Sequence, residues 1–293
     1  MTTAPIPFGP FVLHHRIGRG GMGEVWAGHH RAGWAEVAVK VITHVGPDDA
    51  PFQAAFRNEV RAVAGLHHPG VVRVDDFGRV PDEAADASGG ALVAGRPYLA
   101  MERCEDLTLR SRVGHLDWPC AAEILRALLA ALAHAHARGV IHRDLKPENV
   151  LRGRDPVRWV LSDFGVAHAV ERDARPDANT LEQAALTAGT PAYMAPEQIR
   201  GDWRDQGPWT DLYALGCVAF ELLAGFTPFR KASPLATLAA HLADPAPRCP
   251  HVNPAPPELD AWLGGLLAKD PGGRFQAAAD AAAALDTLGP ATR

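Results

Sequence analysis

The sequence predicts an α+β chain in two unequal parts: a small, strand-rich N-terminal part with one main helix, then a larger and mostly helical part. Three observations carry that reading. Apolar residues alternate through residues 11–45, the mark of strands. From about Pro119 the apolar spacing changes to the three-and-four pattern of helices. No internal repeat interrupts either part, so a solenoid or propeller is excluded.

The elements follow in order. The segments FVLHHRIG and GEVWAGHH read as strands flanking a glycine cluster. In EVAVKVI, Val37, Val39 and Val41 face one way, and Ala38, Lys40 and Ile42 the other. A helix is expected from about Pro51 to Leu66, with Phe52, Phe56, Val63 and Leu66 at helical spacing and Glu59 on the same stripe. Short strands are expected near Val71–Phe77 and Tyr98–Glu102. The acidic, glycine-containing stretch between them reads as an extended loop. Ile124, Leu125, Leu128, Leu129 and Leu132 form one face of a helix ended by Gly139. Leu212 to Leu223 is apolar nearly all round and so belongs to a buried helix. Pro245–Pro257 is loop, and an Ala-rich helix from Gln276 to Leu288 stops at Gly289-Pro290.

Composition narrows the function. The chain has 293 residues, 47% of them hydrophobic and 22% charged, ordinary for a globular protein with a sizeable core. Its formal net charge of −5 gives no general attraction to nucleic acid or to anionic membrane. No run reaches the ~20 apolar residues of a membrane helix. The N-terminus lacks the basic start and apolar run of a signal peptide. Cys104, Cys120, Cys217 and Cys249 are scattered, which fits a reducing, cytoplasmic compartment and argues against a zinc knuckle. The pairs His14-His15, His29-His30 and His67-His68 point apart as sequence neighbours do. His134 and His136, two apart on one helix, do not converge either.

Gly18, Gly20 and Gly23 form a GxGxxG pattern. A dinucleotide site needs a helix directly after the glycines, and here a strand follows. Two readings stay open from the glycines alone: a flap of backbone amides over phosphates, or a plain glycine hairpin. Lys40 lies on one face of a neighbouring strand. Glu59, nineteen residues on, lies on the apolar stripe of the helix, where an unpaired carboxylate is costly. A Lys40–Glu59 ion pair is therefore expected, holding the ammonium where it can meet phosphate oxygens.

The string Ile141-His142-Arg143-Asp144-Leu145-Lys146-Pro147-Glu148-Asn149 is followed by Asp163-Phe164-Gly165 and by Gly189-Thr190-Pro191-Ala192-Tyr193-Met194-Ala195-Pro196-Glu197. With the glycine loop and Lys40, this ordered set resembles the eukaryotic-like protein kinases. GGMGEVW, HRDLKPEN and GTPAYMAPEQ together resemble the Ser/Thr kinases of bacteria. The resemblance spans nearly the whole chain. It implies a bilobal fold, with an N-lobe over residues 1–103, starting properly near residue 11, and a C-lobe over residues 104–293.

The resemblance also implies roles. Gly18, Gly20 and Gly23 would cover the phosphates of ATP, and Lys40, paired to Glu59, would contact them. Ile17, Val25, Ala38 and Leu151 would enclose the adenine, with Met101 as gatekeeper and the backbone of Glu102 and Cys104 as its hydrogen-bonding edge. Asp144 would accept the substrate hydroxyl proton, and Lys146 would touch the transferring phosphate. Asn149 and Asp163 would hold Mg²⁺, with Mn²⁺ as an alternative. Asp211 would anchor the catalytic loop and Glu197 would pair with Arg274. Val63, Val74, His142 and Phe164 would stack between the lobes. Lys146 and Thr190, the latter in the turn that seats the substrate, point to Ser/Thr specificity.

Arg143 before Asp144 resembles kinases switched by phosphorylation of the activation segment. Thr187 and then Thr180 are the expected phosphosites, with Arg143 and His168 as the phosphate cradle; both threonines also fit as plain polar loop residues. Protein substrates and a transient homodimer for trans-autophosphorylation are the implied partners, and nucleic acid is not among them. A pseudokinase is disfavoured because Lys40, Asp144 and Asp163 are all present. A small-molecule kinase is disfavoured by the APE segment. The chain reads as a free-standing catalytic domain or as part of a longer protein.

Overall fold

The computed structural model describes residues 4–20, 23–43, 50–154, 156–164, 191–251 and 253–289. Six strands form one antiparallel sheet: β1 (Ile6–Phe8), β2 (Phe11–Gly20), β3 (Gly23–His30), β4 (Glu36–Ile42), β5 (Val74–Arg79) and β6 (Pro97–Glu102). Their order is β1-β2-β3-β4-β6-β5. Helix α1 (Ala50–Ala64) packs on one face through Phe56 and Val60, against Ala38, Ile42, Leu99 and Met101. The alternation in β4 is satisfied on both sides. Ala38 and Ile42 meet α1, while Val37, Val39 and Val41 enter a second cluster on the outer face.

That outer cluster adds one strand and corrects one expectation. A short strand precedes residue 11: Ile6 and Phe8 in β1 are buried against Phe11 and Leu13. The stretch expected as an extended loop contains α2 (Asp82–Ala87), whose Ala84 is buried with Val80 and Leu92 beneath the sheet. The Ser88 hydroxyl donates to the Ala85 carbonyl and accepts from the Leu92 amide, closing the following turn. Three small apolar side chains at loose spacing suffice to cover a sheet face that would otherwise stay wet.

The second part begins with α3 (Trp118–His136). Asp117 caps it by accepting from the Cys120 amide, and Leu125, Leu128, Leu129 and Leu132 are fully buried. A short hairpin, β7 (Val150–Gly153) and β8 (Arg158–Leu161), follows. Then come α4 (Pro196–Arg200), α5 (Pro208–Ala224), α6 (Pro234–Ala243), α7 (Leu259–Leu267) and α8 (Ala278–Asp286). Helix α5 is buried all round from Thr210 to Ala224. A Cβ at its Gly216 would lie 2.8 Å from Leu266 Cβ, so glycine lets α7 approach. Backbone links between the parts include the run from the β5–β6 end of the sheet into Cys104 and the bridge of Val71 to Leu161. Among the described residues no helix is long and apolar enough to cross a membrane.

Two buried polar clusters lock the helical part. Arg274 makes 2.8 and 2.9 Å bonds to the carboxylate of Glu197, the pair expected from sequence neighbours far apart. Its remaining donors reach the Ala268, Lys269 and Trp209 carbonyls, and Glu197 also accepts from Thr210 Oγ1. Every donor of the guanidinium is thus used, as a buried ion pair requires. Nearby, Tyr213 shares a 2.9 Å hydrogen bond with His241 Nδ1, and Lys269 Nζ sits 3.5 Å over the Phe229 ring. Burial first, then the positive charge of Lys269, pushes the His241 pKa down to about 3.

Arg274→Met should lower unfolding free energy by about 3–5 kcal/mol in urea titrations, because it strands a buried carboxylate. A loss below about 1 kcal/mol would contradict that reading. His241 stays uncharged when folded yet takes a proton near pH 6.5 when unfolded. Stability should therefore fall as pH drops from about 6.5 toward 3. His241→Gln, measured between pH 6 and 4, should flatten that slope by up to about 1.4 kcal/mol per pH unit; an unchanged slope would place the titration elsewhere.

Candidate active site

The catalytic-type loop lies between the two parts and hangs on one carboxylate. Asp211, fully buried on α5, accepts from the backbone amides of His142 and Arg143, each at 2.8 Å, and pairs with His136 Nε2 at 2.7 Å. Burial raises the Asp211 pKa, but the hydrogen bond from His136 and the neighbouring His142 outweigh it and hold the group below the usual carboxylate range. Arg143 between these anchors has φ 63°, a left-handed conformation that is uncommon for a residue bearing a Cβ and that the surrounding bonds maintain. Gln198 on α4 adds a bond to the Arg143 carbonyl at 2.9 Å.

His142 is fully buried and fixes the next segment. Its Nδ1 accepts from the Asp144 amide and its Nε2 donates to the Ser162 carbonyl at 2.9 Å, which assigns the ring proton to Nε2. The ring lies 4.5 Å from that of Phe164, and Val63, Phe164 and Val74 share the same core. Asp144 then points outward with its carboxylate held by Lys146 Nζ at 2.7 and 3.0 Å and by Asn149 Nδ2 at 3.0 Å. Asn149 Nδ2 also donates to the Asp144 carbonyl, so the carboxamide cannot turn freely.

Lys40 and Glu59 do not meet. Lys40 Nζ bonds Asp163 Oδ1 at 2.7 Å, and Glu59 accepts from Arg143 Nη1 at 3.5 Å. The expected pair is corrected for a physical reason: the face of α1 that packs on the sheet is the Phe56–Val60 face. Glu59 is left half-buried beside the catalytic loop, where a guanidinium can neutralise it. Burial raises the Asp163 pKa, but the charge and hydrogen bond of Lys40, with His142 and Lys146, hold it below the usual range. Asp163 also has a left-handed φ, 61°.

The rest of the expected nucleotide cleft is brought together. Ala38, Met101 and Cys104 are buried in one apolar cluster, with Ile17, Val25 and Leu151 packed against it. Gly18 has only the Val25 side chain near its missing Cβ, and Gly20 faces open space. Gly23 differs, since a Cβ there would sit 2.0 Å from the Val41 carbonyl oxygen; its glycine is demanded by the sheet. The Glu102 amide is committed to the Arg73 carbonyl, and its carboxylate to Arg158 at 2.8 and 3.0 Å. Burial and then Glu102 push the Cys104 thiol up to about 11, so it is a packing group and not a nucleophile.

The donor set suits a hard divalent cation. Asn149 bonds Asp144 through Nδ2, so its Oδ1 is not used in those bonds, and Asp163 bonds Lys40 through Oδ1, so Oδ2 is outside that bond. Two oxygens plus phosphate oxygens and water are what Mg²⁺ takes. Thr180, Thr187, Thr190 and His168 lie outside the described residues.

Sequence reasoning missed His136, Gln198 and Arg110. The two-residue spacing of His134 and His136 gives no sign of a shared role for His136; its partner, Asp211, is 75 residues away. No local pattern announces such a contact.

With this geometry in view, the comparisons with known proteins converge. The family model described as the protein kinase domain matches residues 11–284, and the chain belongs to that family. Serine/threonine-protein kinase PknD of Mycobacterium tuberculosis is 36% identical over 287 residues, covering 96% of this chain and 40% of that protein. PknB of Mycolicibacterium smegmatis is 37% identical over 290 residues, covering 97% of this chain and 44% of that protein. The chain thus spans less than half the length of these relatives. The solved kinase domain of PknI from M. tuberculosis has a TM-score of 0.70 at 24% identity, covering 98% of both chains, which bears on the bilobal fold alone.

Asp211→Asn should remove one acceptor and turn an N–H toward a loop amide. The expected result is a loss of about 2–3 kcal/mol of stability and faster hydrogen exchange at the His142 and Arg143 amides. Unchanged protection at both amides would mean the loop is held by something else.

Proposed function

We propose that this chain is a Ser/Thr protein kinase that transfers the γ-phosphate of ATP to protein hydroxyls. The observation that carries the proposal is the fixed Asp144 carboxylate, held by Lys146 and Asn149 at the mouth of a cleft lined by Lys40 and Asp163. Asp144 accepts the proton as a substrate hydroxyl attacks. Lys146, already on Asp144, balances charge on the moving phosphoryl group. Lys40 grips the phosphates, and Asn149 and Asp163 supply oxygens to Mg²⁺, which neutralises phosphate charge when bound. Such transfer depends on positioning and electrostatics more than on covalent catalysis. A positioned base contributes roughly 10²–10⁴ in rate. The apolar cluster of Ile17, Val25, Ala38, Met101 and Leu151 receives adenine.

The ion pairs support the reading of a kinase at rest. A productive site needs Lys40 on Glu59 and Asp163 on the metal. Here Arg143 takes Glu59 and Asp163 takes Lys40. A phosphate on Thr187 or Thr180 carries nearly two negative charges and outcompetes a single carboxylate for Arg143. Glu59 is then released toward Lys40, and Lys40 releases Asp163. Phosphorylation in trans, within a transient homodimer in the cytoplasm, supplies that phosphate.

Phosphatase-treated protein incubated with Mg-ATP should gain mass in steps of one phosphate, on Thr187 or Thr180. The rate per molecule should rise with protein concentration, and Asp144→Asn should gain none. No gain even with a generic protein substrate and an acidic substitution at Thr187 would overturn the kinase reading.

A further inference from the structure

A cavity of about 510 Å³ opens beside Lys146, the residue that holds Asp144. Its walls include Arg110, Glu148, Tyr193, Glu221 and Arg230. Through Lys146 the cavity adjoins the Asp144 carboxylate, so it lies beside the place where a substrate hydroxyl is presented. The cavity carries two carboxylates, and one guanidinium of the chain itself spans both. Arg110 Nε donates to Glu148 at 2.7 Å, Nη1 to Glu221 at 2.5 Å and Nη2 to the Tyr193 hydroxyl at 2.6 Å. The Tyr193 hydroxyl in turn donates to the other Glu221 oxygen at 2.5 Å. The guanidinium makes three bonds in this cluster, and the Glu221 side chain is 7% exposed, so it is largely shielded from solvent. Arg230 is exposed on the rim and makes no ion pair with a described residue.

We infer that Arg110 is a built-in specificity plug: it occupies the place that an arginine or lysine of a protein substrate would take between Glu148 and Glu221, so the kinase selects against basic residues there. The inference rests on the kinase reading and deepens it. The carboxylates are arranged to hold a guanidinium, which is the chemistry of a basic subsite. Their charge is already cancelled from within, so a substrate cation gains no unpaired carboxylate and meets Arg110 and Arg230 as like charges. Arg110 is a positioned competitor of substrate and takes no part in the proton or phosphoryl transfer.

The test compares peptides that differ only by Arg or Ala at each position flanking one acceptor Thr, as ratios of kcat/KM within each protein. The wild type should show a ratio near or below one at every position. Arg110→Met should raise the ratio about ten- to hundredfold at one position, the gain from charge-assisted bonds to a buried carboxylate. Adding Glu221→Gln to that variant should abolish the rise, and it also removes the stranded charge if Arg110→Met alone folds poorly. Arg110→Lys, too short to span both carboxylates, gives a partial rise. A wild type that already favours Arg tenfold, or Arg110 variants whose ratios match the wild type at all positions, would overturn the plug. Failure of the wild type to phosphorylate any peptide, after preincubation with Mg-ATP and with an acidic substitution at Thr187, would instead overturn the kinase reading.

Discussion

A single buried carboxylate governs the site. Asp211 sits inside a helix with no solvent contact, and its charge is tolerable only because three N–H donors converge on it. Two of those donors are consecutive backbone amides of the loop that ends in Asp144. The strain in Arg143 is maintained by this grip. Without it the loop loses the reason to pass through a left-handed residue, and Asp144 loses its aim. The buried helix α5 thus has two functions: it fills the core of the helical part, and it presents one anion as the reference point for the catalytic loop.

Around that fixed point the charges are exchangeable. Lys40, Asp163, Glu59 and Arg143 form two ion pairs, each linking one lobe to the other, and each pair holds a group that the proposed phosphoryl transfer uses elsewhere. Half-buried pairs of this kind have modest net energies, because desolvation offsets much of the attraction. That makes them suited to switching: a doubly charged phosphate can redirect one arginine. Arg110 extends the same logic to the substrate side, where an internal cation holds carboxylates that an incoming chain could otherwise use.

The fold class and the catalytic loop were legible because they are local. GxGxxG, the alternation of EVAVKVI and the ordered HRD, DFG and APE strings are short patterns with fixed chemistry. The Glu197–Arg274 pair was also expected, and its geometry agrees. Illegible features depend on distant packing. The short strand at Ile6–Phe8 and the helix at Asp82–Ala87 carry weak propensity; they exist because the outer face of β4 needs cover. Glu59 looked inward on helical spacing, yet one position decides which side of α1 faces the sheet, and Phe56 and Val60 won. His136 and Arg110 find partners 75 and 111 residues away, beyond any local signal.

The most direct test is a structure of the protein phosphorylated on its activation segment with Mg²⁺ and a non-hydrolysable ATP analogue. The ion-pair exchange predicts Lys40 Nζ within about 4 Å of the Glu59 carboxylate, Asp163 on the metal and Arg143 on the phosphate. Arg143 still bound to Glu59 in that complex, with Lys40 still on Asp163, would contradict it.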